Sequence, residues 1–172
     1  MKLKESLNST RLLIRNYEPT DLDFCTSMWL DEENGKFLSD PTVAFVDETY
    51  QKALDTLQDS TMGYYLIAAS LTGSPLIGTF CMFPDKTNTI YDIGYCIHKD
   101  YWNQGYGTEL LKTMIQWVRK QGGKKITAEV AVENTASNVL LRKLGFMIKR
   151  ESAFEKYGMK ISFKSYIYEF EL

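Results

Sequence analysis

The chain is short of the residues that build metal and disulfide sites. It has three cysteines (Cys25, Cys81 and Cys96) and a single histidine, His98. The cysteines are widely spaced, odd in number and set in apolar patterns, with no Cys-x-x-Cys pair. That spacing argues against a disulfide framework and a zinc site, so reduced buried thiols and no metal are the expectation. No apolar run approaches the ~20 residues that span a bilayer. The opening Met1-Lys2-Leu3-Lys4-Glu5-Ser6 is too polar for the apolar segment of a signal peptide, so a cytoplasmic protein without a membrane partner is expected. Strong charge of either sign is also missing. A formal net charge of −2 gives no bulk attraction to nucleic acid. No repeat, low-complexity tract or Pro/Gly/Ser-rich linker divides the sequence, and one domain over residues 1–172 is expected. That length buries roughly two-thirds of the unfolded surface.

The most informative stretch that is present runs Tyr101-Trp102-Asn103-Gln104-Gly105-Tyr106-Gly107-Thr108. It lies between an apolar, strand-like segment and a strongly amphipathic helical pattern. Two closely spaced glycines let the backbone turn sharply and gather amide N–H groups around one point. Those amides and the positive end of the following helix make a receptor for an anion such as a pyrophosphate. A Cβ at either glycine would hinder the approach of phosphate oxygens. The dinucleotide fingerprint is not met, because a third glycine is absent, and no P-loop lysine precedes Thr108.

A second motif follows: Asn134-Thr135-Ala136-Ser137, continuing Asn138-Val139-Leu140-Leu141-Arg142-Lys143-Leu144-Gly145-Phe146. Together the two segments resemble the GNAT acetyltransferase superfamily. The first is similar to its acetyl-CoA pyrophosphate loop, Arg/Gln-x-x-Gly-x-Gly/Ala, and the second to its Asn-x-x-Ala/Ser…Gly-Phe segment. The wording is nearest the RimJ/RimL-type branch. The resemblance implies an acetyl-CoA-dependent N-acetyltransferase. The acetyl group would pass to a peptide or protein N-terminal α-amine, or to a small amine, by direct attack in a ternary complex. The alternative is a non-catalytic acyl-CoA-binding module. Monomer and homodimer both stay open.

Hydrophobic periodicity gives a coarse element map. Strands are expected at Arg11–Arg15, Tyr64–Ala69, Leu76–Met82, Ile90–Ile97, Ile126–Val132, Phe146–Arg150 and Ile161–Phe170. Helices are expected from the Pro19–Asp23 start, from Asp47 to about Asp59, from the glycine run to about Gln121, and over Ser137–Leu144. The order βααβββαβαββ predicts an α+β (mixed α/β) fold and matches the GNAT order, so the resemblance implies the GNAT acyltransferase fold. Its central mixed, mostly antiparallel sheet is flanked by helices.

The resemblance also assigns roles. Backbone groups of Tyr95, Cys96 and Ile97 would hold pantetheine along a splayed strand edge, and an N–H near Ile97 would polarise the thioester. Trp102 stands where relatives carry Arg or Gln, which puts the phosphate load on amides of Asn103, Gln104, Gly105, Tyr106, Gly107 and Thr108. Cys96 is close enough to the thioester region to contact it. Asn134 would hold the pantetheine arm or a water; otherwise it is a strand-end turn residue. Asp92 and Glu155 are the candidate general bases, each also readable as solvated surface. Ser137 either reprotonates the leaving thiolate or caps the following helix. Leu141 takes the place where many relatives have a tyrosine general acid. His98 reads as a loop histidine or a base. Trp29, Phe37, Tyr64 and Tyr65 are candidates for the acceptor pocket or ordinary core, and Asp31, Glu32, Glu33 and Asp40 make the region beside them acidic.

Overall fold

In the computed structural model, which describes residues 1–172, the chain begins with β1 (Leu7–Asn8) and β2 (Leu12–Asn16), then α1 (Leu22–Trp29) and α2 (Glu48–Asp55). A meander of β3 (Tyr64–Ser70), β4 (Leu76–Pro84) and β5 (Ile90–Ile97) leads into α3 (Tyr106–Lys120). The chain closes with β6 (Lys125–Ala131), α4 (Thr135–Lys143), β7 (Met147–Glu155) and β8 (Ser162–Glu171). One eight-stranded sheet has the order β1-β2-β3-β4-β5-β6-β8-β7. Every neighbouring pair is antiparallel except β5 with β6. The mixed, mostly antiparallel α+β architecture therefore holds. The element missing from the expected order is β1, whose two residues are too few to show a period of two.

Each helix forms for a local reason. α3 buries Leu110, Leu111, Met114, Ile115 and Val118 on one stripe, and Gly122, at φ +84°, lets the chain leave it in the left-handed region. α2 starts where the Asp47 carboxylate accepts from the Tyr50 amide at 2.8 Å. It ends at Asp55, short of the expected Asp59, where the Thr56 hydroxyl donates back to the Lys52 and Ala53 carbonyls. Ahead of α1, Asp21 closes the turn. Its carboxylate accepts from the Glu18 amide and takes a bidentate pair from Arg15, both bonds at 2.7 Å.

Helices cover both faces of the sheet. The larger core joins α3 and α4 to one face through residues such as Leu12, Phe80, Leu111, Met114, Leu141 and Tyr168. On the other face, α1 and α2 pack through Cys25 and Tyr17 on Ile67, and through Leu30, Tyr50 and Leu54. β7 runs to Glu155, past the expected Arg150, because a register shift between Ile148 and Arg150 lets the pairing with β8 continue.

Candidate functional site

The parallel pair β5–β6 is short. It holds only at Ile90↔Lys125, Tyr91↔Ile126 and Asp92↔Thr127. β5 then stays with β4 as far as Ile97, while β6 stays with β8 as far as Ala131. Beyond Asp92 the two strands part, and the β6-facing edge of Ile93–Ile97 is left without a partner strand. An extended ligand can add to such an edge by backbone hydrogen bonds.

The glycine loop lies at the end of this split. Asn103 (φ +57°) and Gly105 (φ +81°) are both left-handed, a region that glycine enters freely and asparagine tolerates. The amides of Asn103 through Thr108 donate to no acceptor in the protein, while the Glu109 amide begins the helical ladder at the Gly105 carbonyl. Six consecutive free N–H groups at a helix N-terminus are able to receive an anion. Gly107 serves a different purpose from Gly105. A Cβ there would come within 3.1 Å of the end of the Leu140 side chain and 3.8 Å of Ile97, so a larger residue would press on the close packing of α3 against α4.

Arg11, read from the sequence only as the start of a strand, braces this loop. Its guanidinium donates to Glu109 at 2.7 Å and to the Gln104 carbonyl at 3.0 Å, and lies 4.2 Å from the Tyr106 ring centre. Burial pushes the Glu109 carboxyl up, but bonds from Ser9 and from the Arg11 side chain and amide outweigh it and hold it low. Trp102 donates its indole N–H to the Ile97 carbonyl at 2.7 Å, tying the loop to the end of β5.

Across the split, α4 begins two residues earlier than expected. Asn134 is its N-cap, accepting from the Ser137 amide at 3.2 Å. Ser137 is therefore not the cap, and its hydroxyl stays free of hydrogen bonds within the helix. Leu141 lies fully buried in the main core.

Two adjoining cavities meet here. One, about 460 Å³, runs along the split and the loop; Tyr95, Cys96, Ile97, Trp102, Asn103, Gly105, Tyr106, Gly107, Thr108, Asn134 and Ser137 all border it. Gln104 does not, since its carbonyl holds Arg11 and its side chain donates to the Asp100 carbonyl. The second, about 450 Å³, lies under α1 and α2 and is mostly apolar, with Trp29, Phe37, Tyr65, Phe83 and Phe154 in its walls. Phe37, Leu38, Tyr95 and Cys96 border both.

Several expected residues fall outside these cavities. Glu155 borders neither: Phe154 is the β7 side chain that faces the second cavity, and strand alternation turns Glu155 to solvent. Asp92 shares a strand face with Gly94 and Cys96 but lies beyond the cavity, where its carboxylate accepts from Thr127 at 2.7 Å. Although Asp92 is an exposed residue, shielding at the sheet surface raises its carboxyl; Thr127 opposes the shift and the nearby Glu129 charge adds to it. Tyr64 points to the opposite face and packs edge-on against Trp117. His98 stacks with Phe24 and borders neither cavity.

The second cavity holds two carboxylates instead. Asp40 accepts from the Tyr50 phenol at 2.6 Å; burial raises its carboxyl, with Tyr50 and Lys156 opposing. Glu129, on β6 just past the split, accepts from the Ser165 hydroxyl. Lys156 is buried and donates to the Gly35 and Leu38 carbonyls at 2.9 and 2.8 Å, clamping the segment that carries Phe37 between the two cavities.

Cys96 sits at the junction, where its sulfur accepts from the Asn34 side-chain amide at 3.1 Å. Burial, with the Asp40 charge, pushes its thiol up to about 12 against the Asn34 bond, which leaves on the order of one thiolate in 10⁵ at pH 7. No acetyl-cysteine should form. Intact-protein mass spectrometry after incubation with acetyl-CoA alone should show the unmodified mass, and a stable 1:1 acetyl adduct lost in Cys96→Ala would contradict this.

Residues 11–147 match the model of the acetyltransferase (GNAT) domain. The chain belongs to the GNAT acetyltransferase family. It is an acetyl-CoA-dependent N-acetyltransferase by that membership. An uncharacterized N-acetyltransferase, p20, of Bacillus licheniformis is 28% identical over 148 residues, covering 83% of this chain and 82% of that protein. Two solved structures share the GNAT fold. One is an acetyltransferase from Salmonella typhimurium that modifies the N-terminal serine of a 50S ribosomal subunit protein (TM-score 0.79, 16% identity, 98% of this chain and 99% of that one). The other is a spermidine N-acetyltransferase from Vibrio cholerae in complex with CoA and spermine (TM-score 0.78, 15% identity, 95% and 96%). At these identities the structures establish the GNAT fold alone.

Proposed function

We propose that the protein transfers acetyl from acetyl-CoA to a peptide or protein N-terminal α-amine, or to a small amine, by direct attack in a ternary complex. The observation that carries this reading is the meeting of two cavities at Tyr95 and Cys96, one bordered by the free loop amides and the other by aromatic walls. CoA occupies the first cavity, its pyrophosphate on the amides of Asn103 and Gly105–Thr108 and its pantetheine along the open edge of Tyr95–Ile97, with Asn134 and Ser137 opposite. Each charge-assisted amide bond to the phosphates contributes ~1.5–3 kcal/mol. The amine enters through the second cavity.

Glu129 replaces Asp92 and Glu155 as the group that takes the amine's proton, directly or through water. It borders the acceptor cavity on the strand that forms the far side of the split. Asp40 and Glu129 each accept one hydroxyl, from Tyr50 and Ser165, but Asp40 is the more buried of the two and Glu129 is the one on the strand beside the split. At pH 7 freeing an α-amine near pKa 8 costs only ~1 kcal/mol, against ~4–5 for a lysine-like amine, so a single carboxylate suits the former. The apolar walls favour an acceptor with a hydrophobic group beside its amine. A polyamine would bring several ammonium groups into mostly apolar walls that offer only Asp40 and Glu129 as carboxylates.

The RimJ/RimL-like motif wording supports that branch, and no helix is long and apolar enough to cross a membrane. Thiol release from acetyl-CoA across peptides, hydrophobic monoamines, polyamines and aminoglycosides tests the proposal. Turnover with peptides or hydrophobic monoamines, lost in Glu129→Gln, is expected. Turnover confined to polyamines contradicts the acceptor class. CoA binding without turnover on any amine would favour a binding role.

A further inference from the structure

Among the buried side-chain nitrogen and oxygen atoms of the protein, only the Tyr95 phenol oxygen has no hydrogen-bond partner. A buried hydroxyl without a partner carries an uncompensated desolvation cost, so its persistence needs a reason. Its location supplies one. Tyr95 borders both cavities at their junction, one residue from Cys96 and directly across the split from the first turn of α4. The facing side chain is Ser137, whose amide is occupied by the Asn134 cap but whose hydroxyl is uncommitted. The two hydroxyls are close enough for Ser137 to draw the phenol's pKa down, yet no hydrogen bond of good geometry joins them. Apo hydroxyl pairs of this kind tighten when a ligand fixes one partner.

We infer that Tyr95 and Ser137 form a donor chain ending on the sulfur of CoA, in which the phenol O–H donates to the Ser137 oxygen and so turns the serine proton toward the sulfur. This rests on the acetyl-transfer reading of the site. As the amine's bond to the acetyl carbon forms and the intermediate collapses, the C–S bond breaks and its electron pair stays on sulfur. The Ser137 O–H stabilises that thiolate. The proton that completes the free thiol is the one released by the amine, passed on by Glu129 or water. It does not come from Tyr95. Burial pushes the phenol up to about 12, with Tyr168 adding and Ser137 opposing, whereas a thiol titrates near ~8.5. The phenol thus remains a neutral donor throughout the working pH range, and Tyr95 is a positioning residue for Ser137.

The test is the titration of the thiol of protein-bound CoA, followed by its ultraviolet thiolate absorption, in wild type, Tyr95→Phe, Ser137→Ala and the double variant. It needs no acceptor. The expected result is a bound thiol titrating about half to one unit higher in Tyr95→Phe than in wild type, with the double variant no higher than Ser137→Ala. Tyr95→Phe removes an unpartnered hydroxyl and keeps the ring, so its thermal midpoint should equal or exceed that of wild type, which a merely structural tyrosine would not show. CoA binding with superimposable titrations in wild type and Tyr95→Phe overturns the donor chain alone. A wild type that binds no CoA overturns the acetyl-transfer reading and the chain with it.

Discussion

Replacing Gly105 with valine is expected to weaken CoA binding about a hundredfold while leaving the protein folded. Gly105 sits at φ +81°, where a β-branched residue costs ~1–2 kcal/mol. Strain of that size lowers the thermal midpoint of a chain this long by only ~2–8 °C. The binding loss is larger because the residue is the hinge of the free amide run. A backbone that relaxes into an allowed region re-aims at least its own N–H and the next. Losing one or two charge-assisted bonds removes ~2–4 kcal/mol, and a hundredfold change in Kd is ~2.8. Steric exclusion is not the cause, since a Cβ at Gly105 comes no closer than 3.5 Å to another group, the end of Arg11. Isothermal titration of CoA into the variant checks this. Binding within about threefold of wild type would contradict the amide receptor.

The second large effect is on stability, at a residue that touches no ligand. Asn138 is buried on α4, and its amide donates to the carbonyls of Ala131 (2.8 Å), Val132 (3.3 Å) and Asn134 (2.8 Å). Its oxygen accepts from the Tyr168 phenol at 2.7 Å. One side chain thus ties the end of β6 to the start of α4 and anchors both to β8. Asn138→Ala removes these side-chain bonds and strands the buried Tyr168 phenol, although the Ala131 and Asn134 carbonyls keep the Asn134 and Asn138 amides, and is expected to cost about 2–4 kcal/mol. Adding Tyr168→Phe should recover about 1 kcal/mol, because it removes the stranded hydroxyl. The Asn134 cap and Ser137 ride on the same turn, so the KM for acetyl-CoA should rise even where the variant is folded. Urea unfolding reads the first two effects, and a loss below about 0.5 kcal/mol for Asn138→Ala would contradict the network's role.

The parts of the site that were legible in the sequence are those written locally. The bounds of β5, Ile90–Ile97, coincide with expectation because polar segments, Asp85–Thr89 and His98–Asp100, flank a mostly apolar run. The loop glycines and the α3 stripe are equally local. What sequence left hidden depends on which face a strand residue takes and on what meets it from far along the chain. Tyr64 and Tyr65 are chemically alike, yet the register of β3 sends one to Trp117 and the other to the acceptor cavity. The same one-residue alternation turns Glu155 away and Phe154 inward. Glu129 lay in a run of β-branched residues that marks a strand but not the place where that strand leaves its neighbour. Arg11, Lys156 and Asn138 act through partners about 98, 121 and 30 residues away in sequence, and no periodicity reports such contacts. Asn138 had one local signal: a polar residue at a helix position whose neighbours at helical spacing, Asn134 and Leu141, both face inward.

The most direct measurement is a crystal structure of the protein with CoA. It should show pyrophosphate oxygens within hydrogen-bond distance of the Asn103 and Gly105–Thr108 amides, pantetheine along Tyr95–Ile97, and the sulfur against the Ser137 hydroxyl, with the Tyr95 phenol donating to Ser137 from behind, facing Cys96 and the aromatic cavity. A CoA whose pyrophosphate lies away from that loop, or whose sulfur points out of the junction of the two cavities, would contradict acetyl transfer at this site.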